Sequence, residues 1–177
     1  MNDALIKKYT PTLEGFYGID QQGINDFRAG KISGPDLTEI NKKNVATIKK
    51  IIAETGFPTI TRTSKRAYKA AVLIVLHSGD VELLEQSVTT LLKADADSIE
   101  RKDIGYMVDK SRIAQNRPQL YGTQYRKEAN GDMHFHEIEN PVDLEQRRAE
   151  MGMESFEEYK KLVFSTLSEE ERKKFPH

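Results

Sequence analysis

The chain has 177 residues, 27 Lys and Arg against 28 Asp and Glu, 37% hydrophobic and 31% charged residues, and neither Cys nor Trp. That length and apolar supply suit one soluble globular domain and exclude global disorder, a collagenous repeat and a disulfide-built scaffold. The absence of Cys also removes thiol nucleophiles and thiolate metal sites. The near-zero charge hides an asymmetry: residues 1–75 hold 12 Lys/Arg and 7 Asp/Glu, and residues 76–177 hold 15 and 21. Neither part is densely basic, so a nucleic-acid partner is not expected, although Arg62, Lys65, Arg66 and Lys69 form a local cluster. The start lacks a continuous apolar segment and the longest apolar run, Ala70 to Leu76, is too short to span a bilayer. A cytoplasmic protein with no membrane partner is expected, and nothing in the sequence assigns its oligomeric state.

The first 35 residues are rich in Gly, Asp, Gln and Asn with weak periodicity, and read as an irregular arm with a short helix or two, packed on one helical domain over 36–177. Ser33-Gly-Pro35-Asp36 supplies a helix start, Ile40, Val45, Ile48, Ile51 and Ile52 follow at helical spacing, and Gly56-Phe57-Pro58 ends the segment. Thr63 or Ser64 then caps a helix whose body, Ala67 to Leu76, is apolar on nearly every face and is expected to be central and most buried. At His77-Ser78-Gly79-Asp80 a turn leads into the next helix, N-capped by Asp80 and carrying the stripe Val81, Leu84, Val88, Leu91 and Leu92. Ser98 is the expected cap of a further helix bearing Ile104, Met107, Val108 and Ile113, broken before Pro118.

From Gln119 the character changes. Gln119 to Arg126 and Met133 to Ile138 flank Asn130-Gly131, a dipeptide suited to a type I′ turn, which predicts a β-hairpin insertion near residues 119–138. Pro141-Val-Asp143 opens a helix through about Met151, Gly152 closes it, and Ser155 to Leu167 and Ser168 to Phe175 read as two closing helices. The predicted class is mainly α, formally α+β: a single helical domain with one hairpin insertion.

His77 follows seven apolar residues on the face of Ala70 and Ile74, where the helix dipole and burial pull its pKa in opposite directions and tune a general base. The competing reading is a structural His bonded to a carbonyl. Asp109 lies behind two apolar residues and is expected to face inward towards a cationic partner, either His77 as its catalytic companion or Lys110, Arg112 or another base in a structural ion pair. In Pro118-Gln119-Leu120-Tyr121-Gly122-Thr123-Gln124, two amides, a phenol and a hydroxyl surround a Gly that permits close approach, a set suited to reading a polar substrate. Strand alternation would put Gln119, Tyr121 and Thr123 on one face and Gln124 on the other, unless Gly122 marks a bulge. The competing reading has these side chains tie down neighbouring loops. In Arg147-Arg148 one guanidinium suits a phosphate or carboxylate, and Asp143 suits a cap. His134 and His136 share a strand face, but spacing fixes no third ligand, so no metal is expected. The common phosphate-loop, dinucleotide, hydrolase-elbow, zincin and EF-hand motifs do not occur, and no cofactor is expected.

Gly56-Phe57-Pro58, the apolar helix ending in His77, Met107-Val-Asp109-Lys110, the Pro118 to Gln124 run and Arg147-Arg148-Ala-Glu-Met-Gly152 together resemble a bacterial domain-of-unknown-function family across about residues 40–160. Its members carry Gly-Trp-Pro, a Gln-His pair, an Asp-Arg pair and Pro-Gln-x-Tyr-Gly-Thr-Gln; here Phe57 stands for the Trp, Leu76 for the Gln and Lys110 for the Arg. The resemblance singles out His77, Asp109, Gln119, Tyr121, Gly122, Thr123, Gln124 and Arg148 without naming a reaction.

Two functions follow as expectations. In the first, His77 is a general base oriented by Asp109, Gln119, Tyr121, Thr123 and Gln124 hold a small polar or anionic substrate, and Arg148 binds its charge, for hydrolysis or group transfer. In the second, the chain is a non-catalytic binding or interaction module of the accessory or immunity kind, and the same polar residues cross-link its interior. A weaker third reading gives an anionic partner to the Arg62 to Lys69 cluster.

Overall fold

The computed structural model of the protein describes residues 3–128, 130, 132–167 and 169–174. It is mainly helical, with one two-stranded antiparallel sheet among the described residues, as the sequence pattern predicts. The chain divides into two compact units, Met1–Glu100 and Arg101–His177.

The first unit holds α1 (Asp3–Arg28), α2 (Gly34–Thr55), α3 (Lys65–His77), α4 (Val81–Leu91) and a 3-10 turn, Ala96–Ser98. The expected caps are in place. Ser33 and Asp36 form a reciprocal capping box at α2, the Ser64 hydroxyl accepts the Ala67 N–H, and the Asp80 carboxylate accepts the Leu83 N–H at 3.0 Å. Helix α3 is the central element: Ala67, Tyr68, Ala70, Ala71, Val72, Ile74 and Val75 are all buried, and α1, α2 and α4 pack on it. Gly56, at φ 77°, ends α2 as its C-cap, and Phe57 then packs edge-on against Tyr68 with ring centroids 6.4 Å apart.

The N-terminal segment departs from expectation. Where an irregular arm is predicted, α1 runs for 26 residues with Pro11 inside it. Ile6 and Leu13, two turns apart, are fully buried, and side-chain bonds from Tyr9 to Glu54 (2.6 Å) and from Ser64 to Glu14 (2.6 Å) hold the helix to its neighbours. Tertiary burial outweighs the poor local propensity of Gly15, Gly18, Gly23 and Asn25 and the amide lost at Pro11.

The second unit holds α5 (Arg101–Ala114), β1 (Tyr125–Lys127), β2 (Met133–Phe135), a 3-10 turn (Pro141–Asp143), α6 (Leu144–Glu150), α7 (Phe156–Thr166) and α8 (Glu169–Arg172). Helix α5 starts two residues later than predicted, and Ser98 does not cap it; its hydroxyl pairs instead with that of Thr61 in the first unit. The hairpin pairs Tyr125 with Phe135, Arg126 with His134 and Lys127 with Met133. Gly131 of the predicted turn, and Ser168 and Phe175 at the ends of the last predicted helix, lie outside the described residues. Met133, Tyr159, Val163 and Leu167 form a core, joined by Tyr106, Phe135, Phe156 and Phe164.

The strands are shorter than predicted, and this corrects the reading of residues 119–124 as strand. Only one isolated parallel bridge, Gln119 to Ile138, continues towards the hairpin, and Gly122 adopts φ +69°. Gln119, Tyr121 and Thr123 therefore do not share a strand face; they belong to a loop.

Candidate functional site

The loop Pro118–Gln124 has almost every backbone polar group bonded, and mostly by side chains. Asp109, on the inner face of α5 and fully buried, takes the N–H groups of Leu120 (2.7 Å), Tyr121 (3.0 Å) and Thr123 (2.9 Å), and the Thr123 hydroxyl at 2.9 Å. Burial is the largest influence on this carboxyl and raises its pKa above the ordinary carboxylate value, while the N–H donors of Thr123, Leu120 and Tyr121 pull it down. The inward orientation is as expected, but the partner is not: backbone amides stand where a cation was predicted. The sequence offers no signal for this, because every residue carries an amide.

Gln119 is also fully buried, and its side chain acts as a substitute ladder. Its Nε2 donates to the carbonyls of Gln124 (3.0 Å) and His136 (2.8 Å), and its Oε1 accepts the Gln124 N–H (2.8 Å). Its own N–H and carbonyl bond to Glu137 and Glu139, each at 2.8 Å. One amide side chain thus replaces the strand bonds that the predicted hairpin extension would have made.

Three arginines and a tyrosine take the loop carbonyls. Arg112 Nε donates to the Pro118 carbonyl at 2.6 Å, and its far nitrogen pairs with Glu139. Arg147 reaches the carbonyls of Leu120 (2.8 Å), Glu139 (2.7 Å) and Asn140 (3.1 Å). Arg148, 1% exposed, donates to the carbonyls of Tyr121 and Glu154 and lies over the rings of Tyr159 (5.0 Å) and Phe156 (5.7 Å). Carbonyl dipoles and two ring faces, with no ion-paired carboxylate among the described residues, solvate this buried cation. The Tyr159 hydroxyl donates to the Thr123 carbonyl at 2.8 Å, and burial raises the pKa of that phenol. Sequence reasoning missed Tyr159 and the carbonyl-binding role of Arg112, since neither lies at a spacing that ties it to residues 118–124.

Two glycines lie where neighbouring side chains approach the backbone closely. A Cβ on Gly105 would stand 2.2 Å from the Met153 terminal methyl, the far end of a flexible side chain, and 3.4 Å from the Tyr121 ring, so Met153 and Tyr121 pack directly on the bare backbone of α5 there. A Cβ on Gly122 would lie 2.7 Å from the Phe156 ring. Tyr121 itself is half-buried, with a pKa raised by burial, and its hydroxyl has no hydrogen-bond partner among the described residues. The Gln124 amide donates to the Thr123 hydroxyl at 3.0 Å.

The structure therefore brings together Asp109, Gln119, Tyr121, Thr123, Gln124 and Arg148 in the second unit. His77 belongs to the first unit, where it is exposed at the last residue of α3 and lines a groove with Asn41, Lys42, Lys49 and Ser78. Asp80, beside that groove, caps α4 and pairs with Lys49 at 2.5 Å. Asp143 makes no capping bond; its carboxylate takes the Asn140 amide instead. On the hairpin, His134 is exposed and His136 half-buried, its pKa lowered first by burial and then by Arg126 and Lys110. Among the described residues no helix is long and apolar enough to cross a membrane.

Residues 19–168 match a family of unknown function (DUF6624), and the chain belongs to that family. No curated protein and no solved structure matches it.

Proposed function

We propose that this chain is a non-catalytic binding or interaction module, and that the Pro118–Gln124 segment is the clamp that holds its second unit in shape. One observation carries the reading: Asp109, Gln119 and Arg148, three of the groups that an enzyme would need free, are already spent. Asp109 accepts three backbone N–H groups and a hydroxyl, so it has no geometry left to orient a histidine. Both Gln119 amide protons are donated to carbonyls of the loop and hairpin, and Arg148 is closed in by two carbonyls and two rings. A substrate would have to break these bonds to meet the same atoms, and an unpaired buried polar group costs about 1–3 kcal/mol.

The experiment is a metabolite screen by thermal shift, followed by recovery of each hit after incubation with the full chain. Small polar or anionic hits are expected to come back chemically unchanged. Consumption of a hit, abolished by His77→Ala, would overturn the reading in favour of hydrolysis or group transfer.

A further inference from the structure

The first unit contains a cavity of about 420 Å³ that the Pro118–Gln124 residues do not touch and that Phe57 of the Gly-Phe-Pro motif lines. Its walls come from the loop after α2, the end of α4 and the 3-10 turn Ala96–Ser98. Each wall has a local cause. Pro58 prevents the chain from continuing α2, and the Thr59 carbonyl accepts the N–H groups of Arg62 and Thr63, folding the loop into one turn. The Ile60 N–H donates to the Ser98 carbonyl at 2.8 Å, and the Thr61 and Ser98 hydroxyls pair at 2.9 Å, which ties that loop to the 3-10 turn.

Thr59 supplies an unpaired hydroxyl on this wall. It is 8% exposed and lines the cavity, yet its hydroxyl makes no hydrogen bond among the described residues. Among the described residues the buried side-chain atoms without a partner are Asn44 Nδ2 and Ser87 Oγ, so the unpaired Thr59 hydroxyl is accessible and opens onto the cavity, where a ligand group can pair with it. Lys93 lines the same cavity and forms no ion pair among the described residues. Arg62 is held differently: Asp3 takes its Nε at 3.0 Å and the Thr55 carbonyl takes a terminal nitrogen at 2.8 Å, so it is wall and background positive charge.

We propose that this cavity is a binding site for a small hydroxylated metabolite bearing a phosphate or carboxylate head, with Lys93 meeting the anion and Thr59, Thr61 and Ser98 reading the hydroxylated body. Lys93 supplies a mobile point charge suited to either head group. Hydroxyls both donate and accept, so they pair with ligand hydroxyls without a fixed polarity, and the Asp95 carboxylate at the rim accepts from one more. The volume lies in the range of small-molecule sites rather than polymer grooves. Because it gives the binding module its ligand, this site rests on the non-catalytic reading.

The test is NMR titration of the full chain with inorganic phosphate and, separately, with 3-phosphoglycerate, each at millimolar concentrations. Saturable shifts at Thr59, Lys93 and Ser98 are expected for both, with 3-phosphoglycerate binding about threefold or more tightly. Lys93→Ala should weaken both probes about tenfold, while Lys50→Ala, on exposed α2 surface, leaves them unchanged. Thr59→Val should weaken 3-phosphoglycerate about threefold yet keep or raise the melting temperature, because no protein hydrogen bond is lost. A Thr whose role is structural would instead lower it. Failure of either probe to saturate, or full affinity in Lys93→Ala, overturns the site and leaves the clamp reading standing. Binding accompanied by turnover of 3-phosphoglycerate overturns the non-catalytic reading, and with it this cavity as the ligand site of a binding module.

Discussion

Asp109 and Thr123 are joined twice through one atom: the Thr123 backbone N–H and its hydroxyl both donate to the same carboxylate oxygen of Asp109, each at 2.9 Å. The other oxygen takes the Leu120 and Tyr121 amides. A carboxylate suits this position because it offers only acceptors, and four donors converge on it.

Asp109→Asn tests that arrangement with almost no change in volume. Whichever way the new amide turns, its NH2 faces backbone donors and leaves at least one of them unpaired. The expected loss is roughly 3 kcal/mol, the scale of a hydrogen bond to a charged group plus an unsatisfied amide. Urea denaturation followed by circular dichroism measures it. A loss below about 0.5 kcal/mol, the range of a surface substitution, would show that the four donors find other partners.

Gln119→Glu probes the opposite polarity. The Gln119 Nε2 now feeds the Gln124 and His136 carbonyls, and a carboxylate there would aim a negative oxygen at two carbonyl oxygens. Burial and those carbonyls would raise the folded-state pKa of the new carboxyl above the unfolded value of about 4.3. A raised carboxyl penalises folding as pH climbs above the unfolded pKa. The variant should therefore be closer to the parent in stability at pH 4 than at pH 8. Denaturation midpoints at the two values decide the matter, and an equal deficit at both would refute the assigned bonding.

Much of the first unit is legible in the sequence. Ser33, Ser64 and Asp80 each precede an apolar stripe, and each caps the helix that the stripe predicts. Helix α1 is hidden because Pro11, Gly15, Gly18, Gly23 and Asn25 interrupt its stripe, and its stability comes from burying Ile6 and Leu13. In the second unit the inward turn of Asp109 is legible, since it follows two apolar residues, but its partners are amides that no residue type advertises. The strands are over-read for a related reason: the Gln119 side chain supplies the bonds that backbone alternation alone would assign to a longer ladder. His77 continues the apolar run of α3 in sequence, yet as its last residue it emerges at the surface.

Gly122 and Gly30 form a matched pair for separating backbone strain from steric exclusion. Both have positive φ, +69° and +68°, but a Cβ on Gly122 meets the Phe156 ring at 2.7 Å whereas one on Gly30 meets nothing within 4 Å. Gly30→Ala should lose only the left-handed penalty, about 1–2 kcal/mol. Gly122→Ala adds displacement of Phe156, which in turn packs against Phe135 with centroids 5.0 Å apart, and should lose roughly 1–3 kcal/mol more. Adding Phe156→Leu should return part of that second loss. Equal destabilisation of the two alanine variants would mean that the aromatic ring moves aside freely.

Glu100 gives the acid limb of the stability profile a specific contributor. The Lys69 ammonium at 2.8 Å is the strongest influence on its carboxyl; together with Lys65 at 3.0 Å it outweighs burial and holds the pKa down at about 2. The unfolded value is about 4.3, so the folded state favours the ionised form. A depressed carboxyl contributes stability above the unfolded pKa and loses it as pH falls through the folded one. Glu100→Gln removes the charge at every pH while keeping the shape. The stability gap between the parent chain and Glu100→Gln should therefore stay constant from pH 7 to pH 5 and close progressively between about pH 4 and pH 2. Added salt should narrow the gap at pH 7 chiefly through Lys65, whose side chain is 72% exposed, and less through Lys69, at 24%. Urea midpoints of both chains across that range provide the measurement, and a gap that persists unchanged to pH 2 would mean that the lysines do not act on an ionised Glu100.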